Sequence, residues 1–316
     1  MDDEFIWQCH ALLDTESGRC LRERGTGRND EYQWEPLSAV YTVPRPPPRG
    51  DENPGFATDR LWWTWVQSYT DRKLTYPTDI FPAFGGMVKQ FAELSGDEPV
   101  LGLWRRELPL HLSWSTLTLG CAPDAGTVAR IPAELRALTE ALPSWTWMSM
   151  PIPHIKPWTH NIEWSRYAPD SILREAEVLG IDIEWAGEAW ASLPSKGVLT
   201  LRGRMMSMAE TYTKPDSMVS EPTGYLLDNP NLRGNIVMDR RPFRFEQLRE
   251  KFVAMALWSG DHRSKYGSSW YYLVLEPTRR REGEYRRVGR ALMYYRRRSG
   301  VPSFGEIGSI ETITVV

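Results

Sequence analysis

The chain has 316 residues, of which 41% are hydrophobic and 25% charged, with a formal net charge of −3 and a pI near 6.0. This is ordinary globular usage at a length that predicts two packed units. The mild acidity excludes a globally basic nucleic-acid binder and points to no strongly charged partner.

The opening "MDDEFIWQCHALLD" has neither a basic segment nor a long apolar run after it, so it does not read as a secretory signal. The longest strongly apolar runs, such as "FVAMALW" at 252–258, fall far short of the ~18 residues that a membrane span needs. Cys9, Cys20 and Cys121 are an odd set without paired short spacing, and no Asn-x-Ser/Thr acceptor occurs. A reduced, cytoplasmic setting with no membrane association is expected.

From 44 to 55 the sequence "PRPPPRGDENPG" carries five prolines and no periodicity, which predicts an extended loop. In "TDRLWWTWVQSYTDR", Trp62, Trp65, Val66 and Tyr69 fall at i, i+3, i+4 and i+7, so the segment reads as a helix capped by Thr58 or Asp59. "TDIFPAFGGMVKQFAEL" repeats the pattern, with Asp79 as the cap and Ile80, Ala83, Phe84, Met87, Val88 and Phe91 on one stripe. Gly85 and Gly86 would each cost about 1 kcal/mol relative to alanine there, which suggests close helix packing. A third, shorter helix is expected in "LGLWRRELPLHLSW", with Trp104, Leu108 and Leu112 at i, i+4 and i+8.

Beyond residue 120 the period changes. "SWTWMSM" alternates, predicting a strand with Trp145, Trp147 and Ser149 on one face. "GVLTLRGRM", "GNIVMD", "KFVAMALW", "SSWYYLVLE", "EYRRVGRALM" and "ETITVV" follow as short strand-like runs between Gly, Pro, Asp and Asn punctuation. The 15 tryptophans sit mostly inside these periodic patterns, which favours a core role over a sugar-binding platform.

Motifs for chemistry are sparse. The chain has no phosphate-binding P-loop, no G-x-S-x-G elbow and no H-E-x-x-H helix. "GTGRND" at 25–30 starts like a dinucleotide turn, but Asp30 stands where the third glycine belongs. His10, His111, His154, His160 and His262 have no metal-ligand spacing. No catalytic, cofactor or metal residue is assigned, and no cofactor is expected. Between 279 and 298 nine arginines face only Glu282 and Glu284. Arg279, Arg280, Arg281, Arg286 and Arg287 are therefore a candidate patch for an anionic partner, since guanidinium groups form bidentate contacts with phosphate and carboxylate. A solvated hairpin is the preferred reading of that segment, and nucleic acid is disfavoured as the partner.

Several stretches together resemble the fungal heterokaryon-incompatibility, or HET-domain, protein family. "LWWTWVQSYTDRKLTYPTD" places Trp62, Tyr69, Arg72, Leu74, Thr75 and Asp79 at the family's spacing, and "GLWRRELPLHLSW", with Trp104, is similar to its Gly-Leu-Trp element. "PSWTWMS", with Trp145 and Trp147, resembles its Pro-Ser-Trp-Ser-Trp element, and "EYRRVGR" its late strand. "IWQC" and "ETITVV" resemble the segments that open and close the region downstream of the HET domain. Neither the Tyr-x-Ala-Leu-Ser-Tyr-x-Trp-Gly nor the Asp-x-x-Cys-Ile-Asn-Gln element of the HET domain itself is found, so the chain is expected to start where that domain would end.

The expected architecture is α+β: an amino-terminal helical unit over 1–120, then an antiparallel β-rich barrel or sandwich over 121–316. The resemblance implies a non-enzymatic recognition or regulatory role with protein partners, its signature residues being structural. The alternative is a β-rich enzyme or carbohydrate-binding domain with an aromatic cleft.

Overall fold

The computed structural model describes residues 6–8, 13–15, 54–70, 79–115, 133–150, 167, 171–208, 220–221, 224–229, 232–239, 251–261, 267–295 and 308–316. Two compact units divide the chain, Met1–Leu61 and Trp62–Val316. The first holds a small antiparallel pair, β1 (Ile6–Gln8) with β2 (Leu13–Thr15). The expected boundary near 120 and most of the proline-rich stretch lie outside the described residues. The end of that stretch, Pro54 and Gly55, opens a helix.

That helix, α1 (Pro54–Thr70), starts a turn earlier than its apolar stripe suggests, so Thr58 and Asp59 lie inside it rather than capping it. Proline at the first helical position has no N–H to leave unsatisfied, which moves the start forward. Next comes α2 (Ile80–Ser95). Asp79 does occupy its cap position, but the side chain is exposed and makes no capping hydrogen bond. Its backbone is already helical (φ −77°, ψ −3°), whereas a capping side chain reaches back from an extended residue. Gly96 closes α2 in the left-handed conformation, donating its N–H to the Ala92 carbonyl. Only one of the paired glycines is a packing site: a Cβ at Gly85 would lie 3.0 Å from that of Trp190, while Gly86 has nothing within 4 Å.

The third expected helix is instead a tight hairpin and a single turn. β3 (Pro99–Val100) pairs with β4 (Leu103–Trp104) around Leu101 and Gly102, both with positive φ as a two-residue hairpin turn demands. α3 (Leu108–His111) follows. The i, i+4, i+8 spacing of Trp104, Leu108 and Leu112 therefore reflects burial of all three, not one helix face. Farther on, α4 covers Ala133–Glu140.

"SWTWMSM" is also no strand. Trp147–Ser149 form a 3-10 turn whose Thr146 hydroxyl accepts the Met148 N–H and donates to the Leu101 carbonyl oxygen at 2.6 Å. The local hydroxyl competes successfully with ladder pairing. Both indoles are buried nonetheless. The Trp147 N–H donates to the Gly102 carbonyl oxygen at 2.9 Å, and the Trp62 N–H reaches the same oxygen at 3.2 Å. A Cβ at Gly102 would lie 2.7 Å from the Trp147 ring nitrogen, so the close approach and the positive φ both require glycine. Around this carbonyl, Trp62 meets Phe84, Phe91 and Trp104 with ring centroids 4.9–5.3 Å apart, and Phe84 meets Trp147 at 5.2 Å. Most of these contacts are edge-on or tilted, the geometry that aromatic quadrupoles favour.

Ten strands make the main sheet. In chain order they are β5 (Leu173–Arg174), β6 (Ala176–Trp185), β7 (Pro194–Ser207), β8 (Ser220–Glu221), β9 (Gly224–Asn229), β10 (Leu232–Met238), β11 (Val253–Asp261), β12 (Ser268–Pro277), β13 (Glu284–Tyr295) and β14 (Ser309–Val315). Each of the six downstream runs predicted from 197 onward falls on a strand, with only Asp239, Lys251, Phe252 and Val316 just outside one; β6 is not among the predicted runs. The order is β12-β11-β7-β14-β13-β10-β9-β8, and β12 also pairs with β13, so the path of hydrogen-bonded strands returns on itself. Every pairing is antiparallel except the short β13–β14 contact. β11 and β12 are buried on both faces over most of their length, which explains apolar runs in place of alternation. Large and small residues interlock across them: fully buried Tyr272 stands between Ala256 and Ala291, and Val274 between Ala254 and Gly289. A bulge between Ala256 and Trp258 brings Trp258 beside Tyr271, where the rings stack 3.8 Å apart. Among the described residues no helix is long and apolar enough to cross a membrane.

Because the two indoles hold the helices against the 101–102 turn, Trp147→Ala should lower stability by about 3–5 kcal/mol in chemical denaturation. Gly102→Ala should cost at least about 1–3 kcal/mol through its backbone conformation alone. Acrylamide quenching as efficient as for free tryptophan, or an unchanged midpoint in either variant, would contradict this packing.

Candidate anion-binding groove

The arginine-rich segment does not form one patch. Arg279, Arg280 and Arg281 lie exposed on the turn between β12 and β13 and have no ion pair among the described residues. Arg286 is on the strand, paired with cross-strand Glu276 at 2.6 Å, and its side chain remains 58% exposed. Such a pair contributes under about 1 kcal/mol. The triplet at 296–298 lies outside the described residues.

Arg287 points the other way. Its side chain is fully buried, and its Nε donates to Asp239 Oδ2 at 2.8 Å. Nη1 donates to the Leu112 carbonyl oxygen at 2.6 Å, and Nη2 to the Trp114 carbonyl oxygen at 2.5 Å and to the carboxylate Oδ1 of Asp239 at 3.3 Å. The guanidinium carbon sits 3.4 Å from the centroid of the Trp114 ring, a desolvated cation–π contact. Burial pushes the Arg287 guanidinium below its ordinary value and the neighbouring Asp239 carboxylate opposes that; arginine still keeps its charge. Its backbone N–H donates to Ser144 Oγ at 2.8 Å, and Ser144 in turn donates its N–H and its hydroxyl to the Val316 carbonyl oxygen. This residue is a structural clamp, not part of a binding surface. A register shift at 274/275 along the β12–β13 pair places 287 and 290 on the same face, where strict alternation would separate them, and Arg290 is buried too.

The signature tryptophans are likewise internal. Trp62, Tyr69, Trp104, Trp145 and Trp147 are all buried, whereas Arg72, Leu74 and Thr75 lie outside the described residues. Trp145 donates to the Gly197 carbonyl oxygen at 3.3 Å, and Trp114 to the Trp145 carbonyl oxygen at 2.9 Å, tying the turn to β7. His111 is buried, accepting the Trp104 N–H through Nδ1 at 3.2 Å; the other four histidines are outside the described residues. Among the described residues no three His, Cys, Asp or Glu side chains gather as a metal site.

A different set of arginines does converge. Arg105, Arg106 and Pro109, with the segments 174–178 and 202–204 and Ile310 of β14, line an open groove of about 570 Å³. Five arginines, Arg105, Arg106, Arg174, Arg202 and Arg204, are among its lining residues, with Glu175 and Glu177. Arg105 is held by Glu98 at 2.7 Å and Arg174 by both oxygens of Glu107 at 2.6 and 2.7 Å. Arg106 Nη2 donates to the Gly96 carbonyl oxygen at 3.2 Å, and Arg204 Nη1 to that of Gly308 at 3.0 Å. Glu175 accepts the Ser259 hydroxyl at 2.6 Å. Arg202 is exposed, and although Glu177 is its cross-strand neighbour the two form no ion pair. The groove offers no serine, cysteine, lysine or histidine as a nucleophile or base, so its chemistry is recognition of negative charge.

Sequence reasoning missed this groove because its arginines come from three separated segments, none of which is a charge run. "LWRRE" and "LRGRM" each carry two of them, and only folding brings the pairs together. Comparison of the chain with protein-family models, with curated proteins and with solved structures returned no match.

Two arginine sets should respond differently to substitution. Arg287→Met or Asp239→Asn leaves a buried partner uncompensated and should cost about 3–5 kcal/mol. Changing Arg279, Arg280 and Arg281 together to alanine should cost under about 1 kcal/mol. Urea denaturation of the three proteins decides it, and a double-mutant cycle across Arg287 and Asp239 should show strong coupling.

Proposed function

We propose that this chain is a non-enzymatic recognition or regulatory region of a fungal HET-like protein, acting on protein partners within incompatibility or innate-immune-like signalling in the cytoplasm. One observation carries the reading: Trp62, Trp104 and Trp147, three of the aromatic residues on which the family resemblance rests, are packed together around the Gly102 carbonyl. A family signature used up inside the core specifies a scaffold, and a scaffold of this kind serves by presenting a surface. The closed path of strand pairing is read here as a small barrel core supporting that surface.

A carbohydrate platform would need exposed indole faces to stack on sugar rings. Trp145 and Trp147, the pair best placed for that in the sequence, are buried at 0% and 4% exposure. The recognition reading therefore takes precedence over the aromatic-cleft alternative.

Expression of residues 1–316 alone in a fungal host should cause no cell death, and the purified protein should not consume a nicotinamide dinucleotide. Joined downstream of a HET effector domain, the same chain should shift the fraction of dying cells. Death or dinucleotide turnover from the chain alone, or a fusion indistinguishable from the effector domain, would overturn the proposal.

A further inference from the structure

The charges of the groove flanked by Arg105 and Arg174 are only partly spoken for. Glu98 and Glu107 fix the two flanking arginines as walls. Arg202 has no ion pair among the described residues, and Arg106 and Arg204 each have one terminal nitrogen donating to a backbone carbonyl. A guanidinium carries five N–H donors, so these three side chains keep most of their donors for a ligand. Beside them is an apolar contact. Ile310 stands directly opposite Arg204 in the β7–β14 register and is 60% exposed, with Pro109 and Val178 also lining the groove.

We infer that this groove docks an acidic peptide segment of a partner protein, with an aliphatic side chain on Ile310 and flanking carboxylates on Arg202 and Arg106. A volume of about 570 Å³ suits several side chains and exceeds what a lone phosphate would fill. Nucleic acid fits less well on two grounds. Glu175 and Glu177 interrupt the positive lining where a continuous phosphate backbone would run, and no aromatic ring lines the groove for a base to stack on. Discrete carboxylates separated by an apolar side chain match the alternation of guanidinium and aliphatic groups. The inference rests on the recognition reading above and narrows it to one surface and one partner chemistry.

Fluorescence anisotropy of the full chain tests it, with a labelled octapeptide alternating Glu and Leu, its Gln–Leu counterpart, and a single-stranded DNA oligonucleotide as probes. The acidic peptide should bind at least about tenfold tighter than the neutral one. R202E should weaken it at least about tenfold and R202K less, because lysine keeps the charge without the bidentate fork. Arg202 is exposed, so the unfolding midpoint of R202K should match that of the parent chain, and R202E, which sets a second carboxylate opposite Glu177, should stay folded with only a slightly lower midpoint; changing Arg279, Arg280 and Arg281 to alanine should leave binding unaltered. Equal binding of both peptides, insensitivity to R202E, or no binding of the acidic peptide overturns the inference. So does displacement by inorganic phosphate as readily as by unlabelled peptide, which marks a simple anion site, or oligonucleotide binding tighter than the peptide's and lost in R202E. None of these failures alters the expected inertness of the chain in a fungal host, and death or turnover there would overturn the recognition reading whatever the peptide does.

Discussion

A guanidinium removed from water must find its hydrogen-bond partners within the protein, and the Arg287 side chain finds four such bonds on three residues. Desolvating that charge carries a large penalty, and only the combination of Asp239, two carbonyl oxygens and the Trp114 face offsets it. Those partners come from parts of the chain distant from β13: the segment after α3 and the residue that follows β10. The clamp therefore constrains far more than its own strand. If residues 112–114 move, a buried charge loses its partners, so the position of the helical segment is specified by chemistry as well as by packing.

The Gly102 carbonyl is the neutral counterpart of this clamp. A single oxygen accepts two indole N–H groups, one from α1 and one from the 147–149 turn, and each indole would otherwise bury an unsatisfied donor. Together the two nodes explain why so much tryptophan is tolerated in the interior: each ring supplies apolar area, and several also have their one polar atom answered by backbone oxygen. Neither node draws on Arg202 or Arg204, which lie on β7. The arginines there can be exposed without compromising the core.

Strands were legible in the sequence where the determining physics is local. "KFVAMALW" and "SSWYYLVLE" are apolar runs between turn residues, and they lie in β11 and β12. β6 was harder because a bulge at Leu179 breaks the alternation of "AEVLGIDIEW". The Trp145–Trp147 segment has the period of a strand but is shaped by the Thr146 hydroxyl and by indole bonds to residues about fifty positions away. Burial of those two tryptophans was readable; the backbone that achieves it was not. The same distinction separates Arg286 from Arg287. Adjacent arginines look equivalent in sequence, and their opposite fates depend on a strand register and on an aspartate that lies 48 positions away.

The long reach of these contacts also governs the order in which the chain can mature as it is synthesised. Trp62, Trp104 and Trp147 leave the ribosome before the strands of the main sheet, and they can meet one another once Trp147 has followed the 101–102 turn out. Ser144, Leu112 and Trp114 must wait for residue 287, about 140 to 175 positions later, and β7 receives β14 only when 309–315 emerge. Between the emergence of Trp147 and that of β14 the nascent chain can carry an assembled aromatic cluster beside unpaired strand edges, a state in which apolar surface and free backbone groups are exposed together. Arrival of β14 both adds a strand beside β7 and gives Ser144 its acceptor at Val316, so a late segment locks a much earlier one in place.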